Sequence, residues 1–151
     1  MPESQTPDIV VFDLDGTLAL IEHRRHFVNG DRKSWQRFFA ACVDDEPNAP
    51  VIQLARMLAE RRDLTLICFS GRSDEVRAET LAWLDQHVGS DVFSEVRMRR
   101  AGDYTPDDEL KQSWAKPILE RILFTVDDRD KVVAMWRRLG VTCLQVADGD
   151  F

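Results

Sequence analysis

Polar side chains follow three apolar segments of this sequence, and most of them are acidic. In chain order they are Asp13 with Asp15, Ser70 with Arg72, and Asp127 with Asp128. Two carboxylates about 4 Å apart repel by about 4 kcal/mol at an effective dielectric of 20, so four converging acids need a cation. A hard, oxygen-liganded ion such as Mg²⁺ is the natural choice. A carboxylate nucleophile, a metal and an acid together suit the hydrolysis of phosphate monoesters, which is extremely slow without catalysis.

The segments that precede these residues have the pattern of buried strands. Ile9–Phe12 is an unbroken β-branched and aromatic run, typical of a central parallel strand. Further strands are predicted over 64–69, near 92–98, over 122–126 and over 141–146, with helical periodicity between them. This alternation predicts a three-layer α/β/α sandwich with a central parallel sheet. Ligands bind beyond the carboxyl ends of such strands, so the three polar pairs should meet at one edge.

Composition and length bound the class of protein. The 151 residues suit a single domain, 1–151, and the long excursion at 18–63 is predicted to supply a small helical cap. A net charge of -7 excludes a broad, non-specific grip on duplex DNA. Three cysteines without CxxC spacing indicate a reducing compartment and no structural zinc. Residues 1–7 lack the pattern of a secretion signal, and no apolar run reaches membrane-spanning length, so we expect a soluble cytoplasmic protein.

Two features of the excursion can be interpreted either as structural or as functional. Trp35, Phe38 and Phe39 recur at helical spacing, which is more typical of core packing than of a platform for base stacking. His23 and His26 have the spacing of a metal pair but no further ligands near them, so they are interpreted as surface residues.

The ordered set Asp13-Leu14-Asp15-Gly16-Thr17, Ser70, Lys111 and Asp127-Asp128 resembles the four signature motifs of the haloacid dehalogenase superfamily. The resemblance implies that Asp13 attacks phosphorus to form an aspartyl-phosphate. It implies that Asp15 protonates the leaving alcohol and then activates the water. Mg²⁺ would be held by the Asp13 carboxylate, the Asp15 backbone carbonyl and Asp127, with Asp128 ligating it or orienting a bound water. Ser70 and Lys111 would hold phosphoryl oxygens.

A closer resemblance, over about 9–151, is to the 3′-phosphatase domain of bacteriophage polynucleotide kinase-phosphatases. Its densest part is the C-terminal segment from Val126-Asp127-Asp128-Arg129 to Gly149-Asp150-Phe151. Asp107 also falls where that family keeps a functional residue. The resemblance implies a substrate-binding role for Thr17, Arg24, Gly71, Arg72, Arg99 and Arg129. The four arginines are predicted to bind phosphate through guanidinium forks at the mouth of the site.

The implied function is removal of a 3′-phosphate from DNA or RNA ends, in preparation for end repair. A phosphatase of free nucleoside monophosphates and a non-catalytic phosphate-binding module are the alternatives. The absence of a GxxxxGKS/T loop predicts no kinase domain. Lys116 competes with Lys111 for the motif position, and Asp127-Asp128 could simply cap the next helix. A homo-oligomer and a separate kinase or ligase partner remain open.

Overall fold

The computed structural model describes residues 6–151, so most of the polar N-terminal segment 1–7 lies outside the described residues. In chain order the strands are β1 (Ile9–Phe12), β2 (Ala19–Leu20), β3 (Glu46–Pro47), β4 (Thr65–Ser73), β5 (Glu95–Arg99), β6 (Ile122–Asp127) and β7 (Cys143–Gln145). The α-helices are α1 (Trp35–Ala40), α2 (Ala49–Ala59), α3 (Arg77–His87), α4 (Asp107–Ala115) and α5 (Asp130–Arg138). Short 3₁₀ turns lie at Glu22–Phe27, Ala41–Asp44, Asp74–Val76 and Lys116–Arg121.

The central sheet has the strand order β5-β4-β1-β6-β7, and every pairing in it is parallel. Strand β1 lies in the middle, and all four of its residues are buried. Ile9 and Val11 belong to one hydrophobic core with α4 and α5, whereas Val10 and Phe12 belong to a second core with α2 and α3. Successive side chains of a strand point to opposite faces, so both faces of β1 need apolar residues. The predicted three-layer sandwich is confirmed.

The long excursion is closed by the antiparallel pair β2 and β3, in which Ala19 lies opposite Pro47. Between them lie the turn Glu22–Phe27, helix α1 and the turn Ala41–Asp44. Helix α2 was included in the predicted cap at 18–63, but it buries Val51, Ile52 and Ala55 against the sheet. Helix α2 therefore belongs to a layer of the sandwich, and we call residues 21–45, which lie between β2 and β3, the insert.

Helix α1 follows the predicted stripe only in part. Phe38 and the nearby Cys42 are buried, whereas Trp35 is 45% exposed. Ser34 precedes the helix, but its side chain makes no capping hydrogen bond. Among residues 6–151, no helix combines the length and apolar content needed to cross a bilayer.

Strand β4 runs four residues beyond its predicted end at Phe69. Its register with β5 shifts between Ser70 and Ser73, which pair with Met98 and Arg99. The extra residues Gly71 and Arg72 therefore form an irregularity at the carboxyl end of the strand. Bulges of this kind redirect side chains, and here the segment contributes Arg72 to the site described next.

Candidate active site

The carboxyl end of β1 continues into a tight turn. The Asp13 backbone N–H donates to the Val126 carbonyl, and three later N–H groups, of Thr17, Leu18 and Ala19, donate to the Leu14 carbonyl. Gly16 has a φ of +81°, and a Cβ at this position would collide with the Asp128 carboxylate. Glycine is needed here for both reasons. The turn brings Asp13 against the second acidic pair, Asp127 and Asp128.

Asp13, Asp127 and Asp128 form the acidic cluster, in which one carboxylate oxygen of each lies within 4.8 Å of the others. All three residues are at least nine-tenths buried. Lys111 Nζ donates to Asp13 Oδ1 at 2.7 Å and to Asp127 Oδ2 at 3.2 Å. Thr17 Oγ1 donates to Asp13 Oδ2 at 2.9 Å. The other oxygen of Asp127 accepts the backbone N–H groups of Asp128 and Arg129, which precede α5, and no side chain caps that helix.

Charge in the acidic cluster is only partly compensated. Burial, then the Asp13 charge, raises the pKa of Asp127 to about 7. Burial, then the charges of Asp13 and Asp127, raises the pKa of Asp128 to about 9. Burial also raises the pKa of Asp13, against the lowering effect of Lys111. One ammonium therefore does not balance three buried carboxylates.

Asp15 lies in a different environment, which we call the arginine cluster: Asp15, Asp45, Arg24 and Arg72. Arg24 Nη2 donates to Asp15 Oδ1 at 2.6 Å, and Arg72 Nε donates to the same oxygen at 2.9 Å. Both arginine side chains and the Asp45 side chain are fully buried. Burial alone would raise the pKa of Asp15, but the charges of Arg72 and Arg24 outweigh it and lower the pKa to about 2.

The structure places two arginines deeper than predicted, while their role in substrate binding stays a prediction. Arg24 and Arg72 were expected at the mouth of the site as phosphate-binding forks, yet their side chains are wholly buried and engaged with two carboxylates. Arg24 also donates to the Phe38 carbonyl at 3.2 Å, and Arg72 to Thr80 Oγ1 at 3.1 Å. Their N–H donors are thus engaged within the protein, and the two arginines hold the Asp15 carboxylate in position.

Arg99 is also engaged with the protein itself. It donates to the backbone carbonyls of Gly71, Asp103 and Thr105, and so it braces the loop that leads into α4. At Gly71 a Cβ would collide with Asp107 Oδ1, so glycine allows Asp107 to approach β4. In this structure Arg99 therefore stabilises that loop, and its predicted phosphate-binding role stays a prediction.

The remaining predicted residues lie at the same sheet edge. Ser70 is buried, and its Oγ accepts the Arg72 backbone N–H at 3.2 Å. Arg129 is partly exposed, and its Nε donates to the Phe151 carbonyl at 2.6 Å. Between the two competing lysines, Lys111 is buried in the acidic cluster and Lys116 is exposed. The structure thus brings Lys111, and not Lys116, to the aspartates.

Asp45 was missed by the sequence interpretation. His23 is exposed, as interpreted, with 39% of its side chain accessible, and its Nε2 also lies 2.6 Å from Asp45 Oδ1. Asp45 itself was not singled out. It lies in an irregular segment after the turn Ala41–Asp44, where no periodic pattern marks it.

The donor set of the acidic cluster fits a hard divalent cation. Three buried carboxylates converge, their pKa values are raised, and Mg²⁺ prefers carboxylate oxygens. The Asp15 carboxylate is not part of this set, since it faces the arginines. A contribution from the Asp15 backbone carbonyl stays a prediction.

A family model described as the polynucleotide kinase PNKP phosphatase domain matches residues 7–151. A protein named as a bifunctional polynucleotide kinase/RNA ligase, from Autographa californica nuclear polyhedrosis virus, is 28% identical over 138 residues, which are 89% of this chain and 18% of that protein. A chain in the structure of the Pnkp1/Rnl/Hen1 RNA repair complex is 31% identical, with a TM-score of 0.79, over 97% of this chain and 44% of that chain.

A more distant solved structure shows the fold alone. CbbY from Rhodobacter sphaeroides, in complex with phosphate, has a TM-score of 0.62 at 15% identity, over 97% of this chain and 88% of that chain. By contrast, the present chain spans less than half the length of the viral protein and of the RNA repair chain.

Proposed function

The chain belongs to the family of polynucleotide kinase PNKP phosphatase domains, and on that premise we propose that it removes the 3′-phosphate from nucleic-acid ends, RNA ends foremost, with Mg²⁺ as cofactor. The observation that carries the proposal is the acidic cluster with Lys111, at the carboxyl ends of β1 and β6. The matched relative in an RNA repair complex supports RNA as the substrate class.

In the first chemical step, an Asp13 carboxylate oxygen attacks phosphorus and the bond from phosphorus to the 3′-oxygen breaks. Lys111 and Thr17 hold the two Asp13 oxygens in place for this attack. Asp15 gives a proton to the leaving oxygen, which departs as the 3′-hydroxyl. The negative charge of the bound phosphate raises the pKa of Asp15 from its low resting value and so favours its protonated form.

In the second step, water attacks the phosphorus of the aspartyl-phosphate. Asp15, now ionised, takes a proton from that water, and the bond between Asp13 and phosphorus breaks. Inorganic phosphate leaves, and the Asp13 carboxylate is restored. The ionised Asp15 that Arg24 and Arg72 favour suits this basic role.

Mg²⁺ would be held by the carboxylates of Asp13, Asp127 and Asp128, together with the predicted Asp15 carbonyl. When bound, the ion supplies positive charge that offsets both the clustered acids and the phosphoryl oxygens. Lys111 adds a second positive charge at the same edge.

The assay that tests this function measures phosphate release from matched substrates, namely 3′-phosphorylated RNA, the same sequence of DNA, 5′-phosphorylated RNA and a 3′-mononucleotide. We expect the fastest release from the 3′-phosphorylated RNA, with loss of activity in chelator and recovery on addition of Mg²⁺. Faster hydrolysis of the mononucleotide would favour a nucleotide phosphatase. Undiminished activity in chelator would contradict the metal assignment.

Two lysine variants make a matched pair for this assay. Lys111→Met removes the buried ammonium from the acidic cluster, whereas Lys116→Met changes an exposed lysine at the C-terminal end of α4. We expect a large loss of activity in the first variant and none in the second.

We also propose that the phosphatase works on the same RNA ends as a kinase and a ligase. The support is that the names of the matched proteins include polynucleotide kinase and RNA ligase. The chemistry agrees, because a ligase requires the free 3′-hydroxyl that this reaction produces.

A further inference from the structure

Asp45 is the most heavily engaged carboxylate of the insert. Its Oδ1 lies 2.6 Å from His23 Nε2 and 2.7 Å from Arg24 Nε. Its Oδ2 accepts from Arg24 Nη2 at 2.7 Å and from Arg72 Nη2 at 2.8 Å. The backbone carbonyl of Asp45 accepts the Trp83 indole N–H at 2.9 Å, which ties the end of the insert to α3. Both oxygens and the backbone of this residue are therefore fixed.

The two guanidiniums connect Asp45 to a single oxygen of Asp15. Arg24 Nη2 bridges Asp45 Oδ2 and Asp15 Oδ1, at 2.7 and 2.6 Å. Arg72 Nη2 makes the equivalent bridge, 2.8 Å from each of the same two oxygens. Among residues 6–151, the charged donors on Asp15 all meet Oδ1. In this described part of the chain no charged donor meets the other oxygen, Oδ2, and the Asp15 side chain is 20% exposed.

We propose that Asp45 is a positioning residue for the acid and base carboxylate of the phosphatase. Through Arg24 and Arg72 it fixes Asp15 Oδ1, so that the proton is exchanged at Oδ2. That proton moves from Oδ2 to the leaving oxygen as the bond from phosphorus to oxygen breaks and the bond from Asp13 to phosphorus forms. This inference rests on the role of Asp15 in the proposed function.

The charge count explains why both arginines need Asp45. Asp15 and Asp45 together balance two guanidiniums, and each of the two Nη2 groups is shared between the two acids. An uncharged side chain at position 45 leaves two buried guanidiniums with one carboxylate. Because unpaired buried charge is costly, the arginines must then shift, and Asp15 shifts with them.

The leaving group of the substrate distinguishes a positioning role from a general role in stability. An alkoxide, such as the 3′-oxygen of ribose, leaves poorly unless it is protonated, whereas 2,4-dinitrophenolate leaves without a proton. The ratio kcat/KM covers the steps up to departure of the leaving group. A displaced acid therefore lowers kcat/KM for an alkyl phosphate and spares the activated ester.

The experiment compares Asp45→Asn with Asp44→Asn, the neighbouring exposed acid. The substrates are a 3′-phosphorylated dinucleotide, glycerol 2-phosphate and 2,4-dinitrophenyl phosphate. For Asp45→Asn we expect kcat/KM on both alkyl esters to fall at least about 30-fold, and on the activated ester less than about 3-fold. Asp44→Asn should stay within about 2-fold of wild type on all three. Equal losses on alkyl and activated esters, or no loss, would overturn the proposal.

A second variant keeps the proposal testable if Asp45→Asn does not fold, as judged by circular dichroism. His23→Gln removes the partly exposed partner of Asp45 Oδ1 and leaves the four charges of the arginine cluster in place. We expect a smaller loss in the same direction, about 3-fold on the alkyl esters and none on the activated ester. An unchanged ratio between the two classes of ester would then count against the proposal.

Failure of the proposed function gives a different result. If wild type hydrolyses glycerol 2-phosphate and the activated ester but not the 3′-phosphorylated dinucleotide, the substrate assignment is wrong and the leaving-group comparison still tests Asp45. Asp15→Asn provides the reference, because direct loss of the acid should give the largest difference between the two classes of ester.

Discussion

Asp13 and Asp15 are two residues apart in the sequence, yet they lie in opposite electrostatic environments. Asp13 shares the acidic cluster with Asp127 and Asp128, where Lys111 supplies the nearest positive charge. Asp15 shares the arginine cluster, in which two carboxylates meet two guanidiniums. The pKa of Asp13 is raised, whereas that of Asp15 is lowered to about 2.

Burial does not explain this difference, because it raises the pKa of both groups. The number of cations within hydrogen-bonding distance decides the sign. In the arginine cluster two negative charges balance two positive charges, so the cluster can fix the position of a side chain. The acidic cluster has excess negative charge, so it can bind a metal ion. A buried site with unbalanced charge is therefore a better indicator of ligand binding than a buried site whose charges are balanced.

The largest loss of activity relative to wild type should come from Asp13→Asn. Loss of the nucleophile should lower kcat at least about 10⁴-fold, since no other group can form the aspartyl-phosphate. The same change removes one crowded acid, so the metal-free protein should not lose stability. Phosphate release and urea unfolding of the same preparation check both parts, and residual activity above a hundredth of wild type would exclude Asp13 as nucleophile.

Arg72→Met tests whether the arginine cluster depends on its balance. The change leaves two buried carboxylates with one guanidinium, and we expect the free energy of unfolding to fall by roughly 3–5 kcal/mol. Urea denaturation measures it. Arg61→Met is the control, because Arg61 pairs with Asp63 at the exposed surface and should give no measurable change. An unchanged free energy of unfolding in Arg72→Met would show that the arginine cluster contributes little to stability.

Asp127→Asn should have the opposite effect on stability. The pKa of Asp127 is raised to about 7, so its ionisation opposes folding at higher pH. In metal-free protein at pH 8 we expect the variant to be more stable by roughly 1–3 kcal/mol. The rise in melting temperature that Mg²⁺ gives to wild type should shrink in this variant. Destabilisation of the metal-free variant would mean that the ion pair between Lys111 and Asp127 stabilises the protein more than the repulsion among the carboxylates destabilises it.

The pH dependence of stability should differ in sign between the two clusters. The folded pKa values of Asp127 and Asp128, about 7 and about 9, exceed the unfolded value of about 3.9, so the folded state binds more protons and stability falls as pH rises from about 4 to 9. Asp15 has a folded pKa of about 2, so its contribution is present above about pH 4 and is lost as pH falls through 2.

We expect the decline on the alkaline side to reach about 1 kcal/mol per pH unit in chelator and to flatten in Mg²⁺. Chemical denaturation at several pH values, with and without the ion, measures both slopes. Equal slopes in the two conditions would argue against a cation in the acidic cluster.

The sheet and the acidic pairs were predictable because their signals are local. An unbroken apolar run such as Ile9–Phe12 indicates a buried parallel strand, and parallel strands bring their carboxyl ends to one edge. The predicted haloacid dehalogenase fold and the likeness to polynucleotide kinase-phosphatases are confirmed by the structure and the family match.

The arginine cluster was not predictable in the same way. The sequence predicted Arg24 at the mouth of the site, but the folded insert buries it against Asp45, 21 residues away. Asp45 lies between Asp44 and Glu46, both exposed, so composition alone does not distinguish the buried acid from its neighbours. Ion pairs between an irregular segment and the end of a strand depend on the tertiary structure. The spacing of apolar residues, which predicts helices and strands, does not predict them.

The most direct test of the account is to trap the covalent intermediate. Enzyme with Mg²⁺ would be mixed with RNA carrying a 32P-labelled 3′-phosphate, quenched in acid after milliseconds and digested, and the label located by mass spectrometry. We predict transient label on the peptide that contains Asp13, and none in Asp13→Asn. Normal release of phosphate with no labelled protein at any time, or label on a different side chain, would contradict the assignment of Asp13 as the nucleophile.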